Sequence, residues 1–513
     1  MNGGRRIVAI PPEILAVARP TNTVVYTYGN GKYGVKCRVG CVRKNGKNYP
    51  VNGPTVGHIV NGVYVPIPAE PIKRVIQYSG VDLKEWANYL LCNRLMSDIL
   101  TELRVIFHET DAQTILSIAI LRVCDPGIKD YELKTAYEES FMSEFYPGLS
   151  LSRNTVCDFL NKLGRNCSKI KKYMQLRTAS INLDHHILVD GTLKSNESSV
   201  NTLSDFSRKA KTKGTRDISV LFAFDLEKME PVCSKCFPGN MIDATSYENF
   251  ISENNITQGI IVADKGFPAS AASEWFANNK NLHYLNPLKR NSKYIRQHGL
   301  KAYQGVLKSN SEVTYSKAFN SKDNKYLYFF RDRNQAAIEE KDWLKHHNGE
   351  GKVYDDAEFK GKQSEFGTIL LESDLDLTPE MAYKTFDSRW QIEIVMRFYK
   401  SACCFDETRE HDDYSVIASE FCDFLATVLT FKLINFFDKK RLLERMTYKE
   451  CMKMLKRAKK SKDDNEDWKL IKINPSCQKF LEELEILPKQ MDAAPAQSST
   501  RKRGRPPKNK PND

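Results

Sequence analysis

The chain has 513 residues, with 77 Lys and Arg against 64 Asp and Glu, a formal net charge of +13 and 41% hydrophobic residues. This length predicts about three or four domains, and the apolar fraction is high enough for folded cores, which excludes a disordered or fibrous chain. The positive charge is concentrated at the end, where residues 501–513 hold six basic residues and one acid. Such a pattern favours a polyanionic partner, most often nucleic acid.

The sequence predicts neither a signal peptide nor a membrane span. The N-terminal apolar stretch is short and is broken by Pro11 and Pro12, which is not typical of a signal peptide. The longest apolar run, residues 416–437, contains two acids and a lysine that a bilayer centre would penalise, so it predicts a buried helix. The 13 cysteines form no short repeating framework, which favours reduced thiols in a cytoplasm.

The first two regions differ in their periodicity. Residues 1–80 are rich in β-branched and aromatic residues with Gly, Asn and Pro between them, which predicts a β-rich N-terminal region of short strands. Residues 81–180 follow helical spacing and predict a helical DNA-binding domain. Near its end, Ser152 is a predicted N-cap for a helix with apolar residues at positions 156, 159, 160 and 163. This helix is typical of a helix-turn-helix recognition helix and equally of an amphipathic surface helix.

Residues 181–290 alternate between strand and helix signals, in the order β-β-β-α-β-α-β. This order predicts an α/β domain with a mixed sheet, in which three antiparallel strands come first and α/β crossovers follow. The predicted strands cover residues 186–190, 218–225, 231–237, 259–264 and 283–287, and the predicted helices cover residues 246–253 and 269–278.

The remaining regions follow from composition. We interpret the polar, loop-rich residues 291–370 as a β-rich insertion domain that interrupts the sheet domain, and Thr378 and Pro379 as the start of a new helix. Residues 485–500 are rich in Pro, Ala and Ser. Such a segment cannot bury a core, so we interpret it as a linker. Four regions are predicted after the insertion. They are the second part of the catalytic core with C-terminal helices (371–460), a C-terminal helical region (461–484), the linker (485–500) and the basic tail (501–513).

Three acids are candidates for chemistry. Asp190 and Asp264 each follow a buried apolar run, so both are predicted at strand ends, where a sheet positions side chains rigidly. Glu393 shares a predicted helix face with Arg389 and Lys400, since 100° per residue brings all three together. Taken singly, each acid is typical of a structural site. Together they suggest a site for two Mg²⁺ ions roughly 3.5–4 Å apart, which supports phosphoryl transfer.

These motifs resemble the DDE transposases of bacterial insertion sequences, in particular the insertion-sequence-four superfamily with its RNase H-like catalytic domain. The resemblance spans about residues 181–460. Its markers are Val-Asp190-Gly-Thr, Pro-Gly-Asn240, Ala-Asp264-Lys-Gly-Phe and the Y-x2-R-x3-E-x6-K signature. Phe386 stands where the tyrosine of that signature is usual, which removes a hydroxyl.

The resemblance implies an Asp190, Asp264 and Glu393 triad that binds two Mg²⁺ ions, with Mn²⁺ as a substitute. It also implies that Arg389 and Lys400 hold the backbone of the transposon end. Cleavage at element ends and strand transfer into target DNA would follow, carried out by a homodimer on double-stranded DNA. The implied location is the bacterial cytoplasm, on the nucleoid when the protein is bound to DNA.

Trp343 has two interpretations. In some relatives a tryptophan of the insertion stacks on a flipped base, and Trp343 is the only tryptophan of residues 291–370. A tryptophan in a helix core is the alternative.

The tail contains the Arg503-Gly504-Arg505-Pro506 core of an AT-hook. Glycine allows the backbone to approach the floor of a narrow groove, and arginines are attracted to the negative A·T minor groove. The alternative is an undifferentiated basic tail.

The sequence therefore predicts an Mg²⁺-dependent DNA transposase with a β-rich N-terminal region, a helical DNA-binding domain and an interrupted RNase H-like core. Two alternatives stay open: a transposase-derived DNA-binding regulator, and an RNase H-like nuclease that cuts without strand transfer.

Overall fold

The computed structural model describes most of the chain and divides it into two compact units, residues 1–81 and 82–513. The described residues are 9–29, 31–44, 46–67, 81–196, 198–207, 214–241, 243–263, 269–348, 353–388, 404–408, 410–463 and 467–488.

The N-terminal unit is an antiparallel sheet of four strands in sequential order. Its elements are α1 (Pro12–Leu15), β1 (Thr23–Gly29), β2 (Lys32–Lys44), β3 (Lys47–Val60) and β4 (Val63–Pro66). Val25, Val35 and Ile59 form a small core, against which Ile14 of α1 packs. The predicted β-rich region is confirmed. Strands β2 and β3 are longer than the short strands predicted, and their register is irregular near Gly40.

The second unit begins with one strand and a group of helices. These are β5 (Val81–Glu85), α2 (Ala87–Leu95), α3 (Ser97–Ile106), α4 (Glu109–Cys124), α5 (Leu133–Glu138), α6 (Met142–Phe145), α7 (Arg153–Arg165) and α8 (Cys167–Thr178). Helix α7 begins as predicted, because Oγ of Ser152 accepts the N–H of Thr155 at 3.4 Å. Val156, Leu160 and Leu163 are buried on its inner face.

A large mixed sheet follows the helices. Its first elements are β6 (His186–Ser195), β7 (Asp205–Phe206), β8 (Arg216–Asp225), β9 (Glu230–Pro238), α9 (Asp243–Glu253), β10 (Gln258–Ala263), a 3-10 helix (Ala269–Ala272), α10 (Ser273–Asn278) and β11 (Asn281–Leu288). Strand β6 is antiparallel to β8 and parallel to β10, β8 is antiparallel to β9, and β10 is parallel to β11. The strand order β9-β8-β6-β10-β11 confirms the predicted RNase H-like mixed sheet.

The same sheet continues through the region that was predicted as an insertion. The next elements are α11 (Lys293–Gln297), β12 (Gly305–Val306), β13 (Val313–Asn320), β14 (Lys325–Asp332), α12 (Arg333–His347), α13 (Asp356–Gln363), β15 (Thr368–Ser373) and α14 (Pro379–Asp387). Strand β15 is antiparallel to both β11 and β14. The strands described within residues 291–370 therefore extend the central sheet in the order β11-β15-β14-β13-β12.

A long buried helix covers the sheet. It is α15 (Asp413–Lys439), followed by α16 (Tyr448–Lys456), β16 (Lys459–Asp463), β17 (Lys469–Leu470) and α17 (Pro475–Glu483). Helix α15 is buried along most of its length, as residues 416–437 predicted, and it packs against β9, α4 and α7. Among the described residues, no helix combines the length and apolarity needed to cross a bilayer.

Candidate active site

Asp190 lies in the middle of strand β6, and its carboxylate is half-buried. Its Oδ1 accepts the N–H of Gly191 at 2.8 Å. The prediction that Asp190 ends its strand is wrong. Gly191 and Thr192 do not turn, because they continue the antiparallel ladder with Leu221 and Val220 of β8.

The parallel pairing on the other side of β6 ends at this point. Val189 and Ala263 are Cα partners in the register of β6 and β10. Ala263 is the last residue of β10. Asp190 therefore comes directly after the last described residue pair of β6 and β10, at the carboxyl end of β10.

Asp190 shares one face of β6 with Thr192 and Lys194, because side chains alternate along a strand. Cross-strand partners share a face too, so the partner of Asp190, Phe222, lies on the same side. Further along this side Phe224 meets Phe431 of α15, with ring centroids 5.2 Å apart. Helix α15 thus covers the face of the sheet that carries Asp190.

A buried ion cluster lies on this covered face. Lys194, which is fully buried, forms ion pairs with Glu420 and with Asp423 of α15, the latter at 2.9 Å. Arg122 of α4 joins the cluster through Asp423 at 2.7 Å and Asp130 at 3.3 Å. Burial by itself lowers the pKa of Lys194, but the charges of Asp423 and Glu420 outweigh it and raise that pKa above its ordinary value. The lysine is therefore charged inside the protein, and the cluster joins β6, α4 and α15.

A cavity of about 410 Å³ lies beside this cluster, lined by residues that include Arg122, Asp423 and Glu410. Burial, followed by the charge of Asp130 and a hydrogen bond to it, raises the pKa of Glu410 to about 8. Glu410 is consequently protonated at neutral pH.

Sequence reasoning missed this cluster, although it noted the acids of the apolar run that forms α15. Buried acids require a partner, which was the available signal. The partner, Lys194, lies 226 residues before Glu420 in the chain, and no local pattern links the two.

A second group of side chains has a geometry that could hold a metal ion. The ligand atoms of His185, Asp225 and Glu227 all lie within 4.8 Å of one another. Nδ1 of His185 lies 2.7 Å from Oδ2 of Asp225, and the N–H of Lys228 donates to Asp225 at 3.0 Å. This group lies at the start of β6, roughly 13 Å along the strand from Asp190, so it does not belong to the predicted triad. Its polar atoms already have protein partners.

Several predicted site residues lie outside the described part of the chain. They are Asp264, Arg389, Glu393, Lys400, Arg503, Gly504, Arg505 and Pro506. Phe386 is described. It lies on α14, where its ring packs half-buried against the main core.

Trp343 lies on α12 within an aromatic cluster. Its ring stacks on His347 with centroids 3.7 Å apart, and it contacts Phe359 at 5.2 Å and Tyr354 at 6.0 Å. These contacts favour the interpretation of Trp343 as a packing residue of this helix.

Comparison with known proteins identifies the domain that contains Asp190. Residues 182–414 match the family model of the transposase DDE domain. Just under half of the chain is thus similar to a transposase DDE domain. The match covers β6 to β15, α14 and the start of α15, so the region predicted as an insertion lies inside the matched region.

Other comparisons are weaker. A search of curated proteins finds no match. The chain is similar to the piggyBac transposase in a synaptic complex with hairpin DNA, with 10% identity, a TM-score of 0.38, and 72% of this chain and 80% of that chain covered. It is also similar to the Mos1 transposase in a paired-end complex with the left transposon end, with 12% identity, a TM-score of 0.15, and 55% and 80% of the two chains covered.

Proposed function

We propose that this protein is a DNA transposase that binds the ends of an insertion sequence and carries out metal-dependent strand cleavage and strand transfer. One observation carries the proposal. The DDE-domain match covers a sheet in which Val189 and Ala263 are register partners, and these residues directly precede Asp190 and Asp264 in the chain. In the sequence, Asp190 and Asp264 therefore each come directly after one member of a residue pair that joins two neighbouring parallel strands.

The proposed catalytic and metal-binding residues are Asp190, Asp264 and Glu393. The donor set suits the metal, since carboxylate oxygens are the hard ligands that Mg²⁺ prefers, and Mn²⁺ accepts the same ligands. When bound, two such ions would supply charge stabilisation to the attacking and leaving oxygens. The half-buried carboxylate of Asp190 is held by a continuous strand, which limits its movement.

The remaining residues of the site are proposed to bind DNA. Arg389 and Lys400 carry charges that suit the phosphates of a transposon end. Arg503, Gly504, Arg505 and Pro506 are proposed to bind the A·T-rich minor groove. Because transposition joins two ends, we propose that a homodimer assembles on DNA, in the bacterial cytoplasm and on the nucleoid when bound.

The experiment that tests this function is cleavage of a labelled duplex that carries the terminal repeat of the element. The wild type is compared with Glu393→Gln, each with Mg²⁺ and with EDTA. We expect metal-dependent nicking at the repeat boundary by the wild type alone. Mn²⁺ should restore cleavage after EDTA treatment.

Two results would replace the proposal. Specific binding to the repeat without cleavage in any metal would support a transposase-derived regulator. Metal-dependent cutting without preference for the repeat, and without joining of the freed 3′ end to target DNA, would support an RNase H-like nuclease.

A further inference from the structure

The N-terminal unit has an unusual charge composition. Residues 14–67 contain no Asp or Glu. They contain seven cations, which are Arg19, Lys32, Lys36, Arg38, Arg43, Lys44 and Lys47. A folded surface normally carries both signs of charge. A segment of this length without one acid therefore favours a polyanionic partner.

Four of these cations lie on a hairpin that extends away from the core of its unit. We call residues 38–52 the β-ribbon; it is the part of β2 and β3 farthest from Val25, Val35 and Ile59. Every described side chain of residues 38–43 and 46–52 is exposed. Both faces of the β-ribbon are therefore open within this unit.

The register defines what each face presents. Val42 pairs with Tyr49, so these two side chains share one face, and they are 45% and 51% exposed. Arg43 pairs with Asn48 and occupies the opposite face. The face of Val42 and Tyr49 also carries the Lys44–Lys47 pair, and the face of Arg43 and Asn48 also carries the Cys41–Pro50 pair, so each face combines apolar and cationic side chains.

An exposed two-stranded ribbon gains little from folding alone, since isolated hairpins are only marginally stable in water. Among the described residues, no carboxylate forms a salt bridge with Arg38, Arg43 or Lys47. Arg38, Arg43 and Lys47 are exposed, and the exposed side chains of Val42 and Tyr49 could contact the walls of a groove.

We propose that the β-ribbon is a DNA-binding arm that lies in a groove of duplex DNA, with Arg38, Arg43 and Lys47 at the phosphates. The major groove of B-form DNA, about 12 Å wide, admits a two-stranded β-ribbon. Strands in such a ribbon lie about 4.8 Å apart, which leaves room for side chains on both sides. This assignment deepens the proposed DNA-directed function and gives a role to a region in which the sequence alone revealed none.

The test compares two triple variants of the full chain that each remove three positive charges. The first is Arg38→Gln, Arg43→Gln and Lys47→Gln in the β-ribbon. The matched control is Lys449→Gln, Lys472→Gln and Lys479→Gln, because these lysines are exposed in the second unit. Binding to a fluorescent 30-base-pair duplex is measured from 50 to 200 mM salt, in EDTA so that no strand is cut.

We expect the β-ribbon variant to bind about tenfold more weakly, with a salt slope smaller in magnitude by about 2 to 3, since each phosphate contact contributes about 0.9. The control should keep the wild-type affinity to within about threefold, since exposed charges outside the contact surface are screened by salt. Unchanged circular dichroism and melting temperature in both variants would exclude misfolding as the cause. Equal affinities of the two variants would overturn the proposal.

Competition identifies the partner. Unlabelled duplex DNA should displace the probe from the wild type better than double-stranded RNA does, because the deep, narrow major groove of A-form RNA excludes side chains. Stronger displacement by RNA would overturn the assignment to DNA. The readout is binding in EDTA, so loss of β-ribbon binding and loss of catalysis are distinguishable: a Glu393→Gln protein should still show the effect of the β-ribbon variant.

Discussion

The Nζ atom of Lys194 lies 2.9 Å from Oδ2 of Asp423, and both side chains are buried. Lys194 is on the same strand face as Asp190, and Asp423 is on the helix that covers that face. A buried ion pair is costly to form, but breaking one by removing a single partner is costlier still, because it leaves an uncompensated charge. The pair therefore fixes α15 over the strand that carries Asp190.

Lys194→Met should lower the free energy of unfolding by about 3–5 kcal/mol, because it leaves the carboxylates of Glu420 and Asp423 buried without their cation. Urea denaturation measures the change. Lys449→Met, at an exposed position, should change it by less than about 0.5 kcal/mol. If Lys194→Met also lowers the free energy of unfolding by less than about 0.5 kcal/mol, then water and not Lys194 stabilises the charges of Glu420 and Asp423.

Glu410 should make the protein less stable as pH rises. Its pKa in the folded chain is raised from 4.5 to about 8, so the folded state holds a proton that the unfolded state releases. This stabilisation is complete below pH 4.5 and is lost as pH rises through about 8. Glu410→Gln should therefore be more stable than the wild type at pH 9 by about 1 kcal/mol or more, and the difference should shrink by pH 5. If the free energy of unfolding of the two proteins changes with pH in the same way, the raised pKa of Glu410 is contradicted.

Gly164 allows α7 to approach α15 closely. A Cβ atom at this position would lie 1.8 Å from the carbonyl oxygen of Tyr414, so Gly164→Ala must separate the helices. We expect a loss of about 2 kcal/mol or more despite the better helix propensity of alanine. The control is Gly361→Ala on α13, where nothing lies within 4 Å. It should stabilise the protein by about 0.5–1 kcal/mol, and thermal melting distinguishes the two outcomes.

Asp190→Asn should lower cleavage of a terminal-repeat duplex by about 100-fold or more, because an amide is a poorer ligand for Mg²⁺ than a carboxylate. Binding of the duplex in EDTA should persist, since the change preserves shape within the strand. Asp205→Asn, on the short strand β7, serves as a charge-matched control that should keep its activity. Wild-type cleavage by Asp190→Asn would remove this residue from the triad.

Deleting residues 501–513 should weaken binding to A·T-rich duplex and reduce the salt slope, because the tail supplies six cations. Binding to G·C-rich duplex should change less, since the narrow minor groove of A·T tracts attracts arginine most strongly. A gel-shift series with both duplexes measures the difference. An equal loss on both would indicate an undifferentiated basic tail.

The sequence by itself determined the elements whose signals are local. Alternating apolar runs predicted β6, β8 and β9, Ser152 and Thr378 predicted helix starts, and the apolar run of α15 predicted a buried helix. These predictions held because hydrophobic periodicity and capping depend on residues within a few positions of each other. Asp190 became a candidate for the same reason, because it directly follows an apolar run.

Tertiary structure alone decided the features that depend on distant partners. The pairing of β11 with β15 made the predicted insertion an extension of the central sheet, and the pairing of Gly191 with Leu221 kept β6 extended past Asp190. The two acids that pair with Lys194 likewise lie more than 220 residues away from it in the chain. Strand register and buried ion pairs are set by which surfaces meet in space, so a sequence pattern shows that a partner is needed but not which residue supplies it.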